Sequence, residues 1–134
     1  MITPHEILNP DNLADPVGFS HAVVASEGRT IYLAGQAGHD QDGTLVGRDL
    51  VSQFAQAAAN VVAALDAAGA RPEHLVSMQI FTDDVVQYRK KLPELAVVYQ
   101  EHFGRHYPAI ALFGVESLFD LQAKVELVCI AVVP

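Results

Sequence analysis

The sequence is poor in several things, and each shortage narrows what the chain can do. It has no tryptophan and one cysteine, Cys129, so no internal disulfide can form, and a reducing cytoplasm is the expected setting. Eight Lys and Arg stand against sixteen Asp and Glu, a formal net charge of −8. The basic residues are scattered apart from Arg89, Lys90 and Lys91, so nothing offsets repulsion from a phosphate backbone and nucleic acid is not an expected partner. No stretch reaches the roughly 18 apolar residues that span a bilayer, and Pro108 and Gly114 interrupt the densest late run, which excludes the membrane as a partner. The opening Met-Ile-Thr-Pro-His-Glu has neither the basic start nor the apolar core of a signal peptide. Charged residues make up only 18% of the chain and hydrophobic ones 51%, so it can bury a core that a disordered segment could not. Its 134 residues suit one domain and are too few for two.

Residues 1–17 contain three prolines and little periodicity, which predicts an irregular arm. Residues 18–25 and 30–36 are short runs rich in Val, Ile and Tyr. Between them Ser26-Glu27-Gly28-Arg29 reads as a turn with glycine at positive φ, so a β-hairpin is expected. Residues 38–44 concentrate turn formers and predict an exposed loop. From Asp49 to Ala68 the apolar residues Leu50, Val51, Phe54, Ala58, Val61, Val62 and Leu65 trace one buried helical face, and Gly69 supplies a stop. Residues 75–82 alternate as a strand with one covered face. A second helix is predicted from Leu92 to Phe103, with Pro93 in its first turn and Gly104 ending it. Strands at 110–115 and 124–132 close the chain. The resulting order, β-β-α-β-α-β-β with a hairpin at each end, predicts an α+β fold in which helices cover one face of a mixed sheet. Apolar residues on the second face of the strands imply self-association.

Seven stretches in this order resemble the RidA (reactive intermediate deaminase, YjgF-type) family. They are Tyr32-Leu-Ala-Gly-Gln36, Gly43-Thr-Leu-Val-Gly47, Leu65-Asp-Ala-Ala-Gly69, the strand 76–82 followed by Asp83 and Asp84, Tyr99-x-x-x-Phe103, Tyr107-Pro-Ala109, and the closing strand 124–132. The resemblance implies a chorismate-mutase-like subunit, a homotrimer, and small-molecule pockets in the clefts between neighbouring subunits. It also implies hydrolysis of reactive imines or enamines to a keto acid and ammonia, with neither metal nor organic cofactor.

Carried over position by position, Glu126 matches the glutamate that activates the attacking water and is the candidate catalytic residue. The substrate-anchoring arginine of the family follows Pro-Ala, and here Pro108-Ala109 is followed by Ile110, which offers no charge. The tyrosine of the first strand is replaced by Phe19 and the serine before Gly-Gln by Ala34. The pocket asparagine of the second helix falls near Ala96, after about four extra residues at 87–91. Gly35 and the main chain at Leu112 stay as backbone ligands. The substrate-binding set is therefore Phe19, Ala34, Gly35, Ile110 and Leu112, a largely apolar pocket that keeps one carboxylate.

Other residues fit blander roles. Phe113 suits core or subunit interface, and His21 lies close enough to Phe19 to reach a pocket mouth. His102 and His106 have the four-residue spacing of helical metal ligands, but Gly104 separates them and no third ligand is near in sequence. His39, Asp40 and Asp42 fall on the turn-rich loop, where carboxylates are commonly solvated. Cys129, in the most apolar part of the last strand, behaves as a small buried hydrophobe. Gly35 and Gly38 open no helix that could cradle a phosphate. Two functions are compatible with this pattern. One is a divergent deaminase, or an isomerase, acting on a small, relatively apolar imine or enamine metabolite. The other is an inactive trimeric module that uses the same cleft to hold a small molecule or a protein partner.

Overall fold

The computed structural model describes residues 2–134. Its elements run β1 (Glu6–Leu8), β2 (Ala22–Val24), β3 (Arg29–Tyr32), α1 (Leu50–Ala67), β4 (Leu75–Thr82), α2 (Val85–Lys90), α3 (Leu92–Phe103), β5 (Ala109–Gly114) and β6 (Val125–Val133). A four-stranded mixed sheet in the order β3-β6-β4-β5 carries α1 and α3 on one face, and β1 and β2 pair as a separate two-stranded ribbon. The fold is α+β.

The most apolar strand lies inside the sheet. Along β6, Val125, Leu127, Cys129 and Ala131 are fully buried under the helices, while the residues between them are mostly half-buried on the other face. α1 starts at Asp49, whose carboxylate accepts a hydrogen bond from the Ser52 N–H at 2.9 Å. Its buried stripe of Leu50, Phe54, Ala57, Ala58, Val61 and Leu65 packs on β6 and α3. α3 buries Leu95, Tyr99 and Phe103, one per turn, and ends at Gly104.

The strand pairing departs from the sequence-based expectation in two places. Residues 18–25 and 30–36 do not form a hairpin, because β2 pairs with β1 (Ile7↔Val23) and β3 pairs with β6 (Thr30↔Val132). Gly28 does not adopt positive φ; a Cβ there would overlap the Val133 carbonyl oxygen and stand 2.6 Å from its carbon, so the glycine allows the corner to pass close to the last strand. The ribbon is tied down by buried His5, whose Nδ1 accepts the Ser26 N–H at 3.1 Å, which leaves Nε2 to donate to the His74 carbonyl at 2.9 Å. β1 thus lies within the stretch that prolines marked as irregular.

The closing hairpin is absent as well. β5 runs parallel to β4 (Met78↔Ile110, Ile80↔Leu112), a pairing that needs a crossover and here takes it through helices, and β6 enters antiparallel between β3 and β4. That crossover contains a helix the periodicity does not show. α2 has six residues, too few to display a 3.6-residue repeat, and is capped by Asp84, which accepts from the Gln87 N–H at 3.0 Å.

Candidate active site

Beyond β3 the chain keeps to β6 but loses step with it. Leu33 donates to the Cys129 carbonyl at 3.1 Å, and the next contact is the reciprocal pair of Gln36 and Leu127, at 2.8 Å in both directions. Three steps along one strand therefore match two along the other, and Ala34 and Gly35 bulge out opposite Val128, both exposed. Neither backbone N–H in the bulge is used by the ladder. Glu126 fills the space beside it: a Cβ on Gly35 would overlap Glu126 Oε2 and lie 2.9 Å from Cδ. Position 35 is glycine here because the carboxylate occupies the place of a side chain.

Gly35 and Glu126 open onto a cleft of ≈ 530 Å³ that also touches His39, Gln56, Asn60 and Asp120. Asn60 of α1 holds the loop wall by donating to the carbonyls of Ala37 (3.1 Å) and His39 (2.8 Å), and its own oxygen accepts from Gln56 Nε2 at 2.9 Å. His39 Nε2 meets Asp120 Oδ2 at 2.9 Å; that contact, with the Gln122 N–H, holds Asp120 below the usual carboxylate range. Fully buried Gln53 fastens the approach to β6. It donates to the carbonyls of Gly47 and Gln122, each at 3.3 Å, and accepts the Lys124 N–H at 2.7 Å. The Glu126 carboxylate makes no hydrogen bond or ion pair among the described residues.

The other candidates gather elsewhere. Phe19, Ala96, Ile110 and Leu112 line a second cleft of ≈ 610 Å³ between α3 and β5, together with Tyr99 and Tyr107. Phe19 lies ahead of β2 rather than within a strand. The next residue, Ser20, fixes it against β5 by donating its N–H to Pro108 (3.0 Å) and its hydroxyl to Tyr107 (2.6 Å). Ile110 and Leu112 pair with buried Met78 and Ile80, so their side chains point to the helix side of the sheet. Glu126 pairs with Phe81 on the opposite side, where Phe81 stacks on Phe113 with centroids 5.3 Å apart. Past the Ser20 bridge at Ala109, the outer edge of β5 leaves the main chain around Leu112 open.

Several histidines are committed to the backbone. Nε2 of His21 meets the Ala14 carbonyl at 2.7 Å, Nδ1 of His102 the Val98 carbonyl at 2.8 Å, and Nε2 of His106 the Leu75 carbonyl at 2.7 Å. Cys129 is buried and its thiol is pushed up to about 12 by desolvation. Sequence reasoning missed the His39–Asp120 pair, whose members are 81 residues apart, and Arg89, which reaches the second cleft from α2. The one local signal for Arg89 is the extra length at 87–91.

The chain is similar to known proteins over nearly its whole length. The family model described as Endoribonuclease L-PSP matches residues 11–133. A protein of Dermatophagoides farinae named 2-iminobutanoate/2-iminopropanoate deaminase is 29% identical, covering 98% of this chain and 99% of its own length. A RutC family protein of Pyrococcus horikoshii is 30% identical across 90% of this chain and 94% of its own. The crystal structure of YyfB from Yersinia pestis, a Rid family protein described as being of unknown function, superposes with a TM-score of 0.88 at 30% identity, covering 96% and 98% of the two chains. Together with the mixed α+β sheet, these likenesses establish that the chain belongs to the RidA/YjgF family.

Proposed function

We propose that the protein is a cofactor-independent imine deaminase whose sites form between copies of the chain, with Glu126 activating water. The observation that carries this reading is the fit of the Glu126 carboxylate against Gly35, next to the unused backbone donors of the bulge. Water held by Glu126 adds to the imine carbon as the nitrogen takes up a proton. The carbinolamine then collapses to a C=O bond and free ammonia, so that imine and water give ketone and ammonia. Bulge N–H groups suit the developing oxygen charge in that step.

Glu126 and Ile110 lie on opposite sides of one sheet, so a pocket holding both takes them from two chains. A homotrimer, the assembly expected from the family resemblance, supplies such a junction. The half-exposed Phe81–Phe113 stack and the open edge of β5 are surfaces suited to it. The net charge of −8 favours a small molecule over RNA, whatever activity the family description names. Buried free Cys129 is compatible with a cytoplasmic setting. The apolar residues at 19, 34 and 110 favour a larger, less polar substrate. They also support the second reading, a trimer that binds such a metabolite without converting it.

The test is release of ammonia and keto acid from imino acids made in situ by an amino-acid oxidase, with small and bulky side chains, comparing wild type, Glu126→Gln and Ile110→Arg. Activity lost in Glu126→Gln supports the deaminase. Wild-type turnover unchanged by Glu126→Gln sinks the mechanism, and a silent wild type that binds ligand leaves the binding module.

A further inference from the structure

The cleft between α3 and β5 is apolar on nearly every side. Its walls are Phe19, Leu92, Leu95, Ile110 and Leu112, with the rings of Tyr99 and Tyr107 stacked 5.1 Å apart. Arg89, in the last turn of α2, is the one charged residue lining it among the described residues. It enters no ion pair among the described residues, in contrast to Lys91 with Glu94 and Lys124 with Asp83. Gln100 and Tyr107 line the same space. The Tyr107 hydroxyl accepts from Gln100 Nε2 at 3.0 Å, which leaves its own proton to donate.

We propose that this cleft binds monocarboxylates with a bulky apolar body, anchored by Arg89. A guanidinium presents paired N–H donors that match a carboxylate, and desolvation by apolar walls strengthens the contact. One cation balances one negative charge; a phosphate dianion would leave charge uncompensated on a chain already at −8. A volume of ≈ 610 Å³ exceeds what a two- or three-carbon acid fills, and the aromatic walls suit an aryl or branched alkyl group. Arg89 thereby acts as a specificity determinant brought in by the crossover helix, to one side of Ile110. The inference deepens the deaminase reading by naming its substrate class, yet binding can be measured without turnover.

The experiment is isothermal titration with 3-phenylpropanoate and its neutral amide, on wild type, Glu126→Gln, Arg89→Met, Arg89→Lys and Ala96→Trp. In wild type and Glu126→Gln the acid binds about tenfold or more tighter than the amide. Arg89→Met removes that preference, Arg89→Lys keeps part of it, and Ala96→Trp, which fills the cleft from an exposed position, blocks both probes. Equal binding of acid and amide by wild type, a preference surviving Arg89→Met, or no binding by either probe overturns the proposal. The last is also the result if a second copy of the chain fills the cleft. Carboxylate binding without turnover would defeat the deaminase and leave the anchor, whereas turnover indifferent to Arg89 would do the reverse.

Discussion

Ile110 and Glu126 project from opposite faces of the same sheet, Ile110 beside Met78 under the helices and Glu126 beside Phe81 on the other side. No side-chain rotation brings them together within one chain, since alternation along a strand fixes the side to which each residue points.

Association is therefore open to a direct test through Phe113, which stacks on Phe81 and is 42% exposed. A carboxylate there would be desolvated at any contact this face makes. Sedimentation is expected to give trimers for wild type and smaller species for Phe113→Asp, with deaminase activity lost at the same time.

Gly35→Ala separates stability from chemistry. The new methyl group meets the far end of a flexible side chain rather than backbone, so the carboxylate moves and the fold survives. The melting temperature is expected to change little while turnover falls by up to about 100-fold, a loss that a misplacement of about 1 Å can cause. Thermal melts and ammonia release on one preparation check both.

Gln53→Leu has the reverse outcome. It leaves the carbonyls of Gly47 and Gln122 and the Lys124 N–H without their partner in a fully buried place. A loss of about 2–4 kcal/mol is expected from urea denaturation, since each unsatisfied buried group costs about 1–3 kcal/mol and some relaxation follows.

His106 predicts the response to acid. Desolvation holds its pKa below the ordinary imidazole value of 6.5, and the hydrogen bond to Leu75 opposes this only in part. The folded state thus holds the ring neutral where the unfolded chain would protonate it. The stability this gives is present above pH 6.5 and is lost as pH falls through the depressed folded value. His106→Gln, which keeps a donor for the Leu75 carbonyl and does not titrate, is expected to flatten the dependence of the urea midpoint between pH 7.5 and 5.5.

How much of this the sequence shows depends on the range of each interaction. α1, α3 and β4 are legible because their patterns are local: Leu50 to Leu65 and Leu95 to Phe103 mark buried faces, and Met78, Ile80 and Thr82 mark one side of a strand. Strand partners are not local. Adjacency in sequence suggested that β2 and β3 would pair, yet β3 joins β6 about a hundred residues later, where a longer apolar strand offers more burial. Glu126 is a candidate through family resemblance alone, because one carboxylate in an alternating strand otherwise reads as a solvent-facing residue. Arg89 stayed hidden because its helix is shorter than two turns and its place beside Phe19 and Ile110 is set by the crossover.

The opposed faces of the sheet also bear on inheritance and engineering. If one copy donates Glu126 and its neighbour donates the apolar cleft, two defective genes expressed together can complement one another. Chains carrying Glu126→Gln and chains carrying Ala96→Trp would each be inactive alone. Randomly mixed in a closed ring, they would place an intact glutamate face against an intact cleft at about one junction in four. The functional unit of this protein would then be the boundary between two gene products, and a damaged allele could be rescued by one damaged elsewhere.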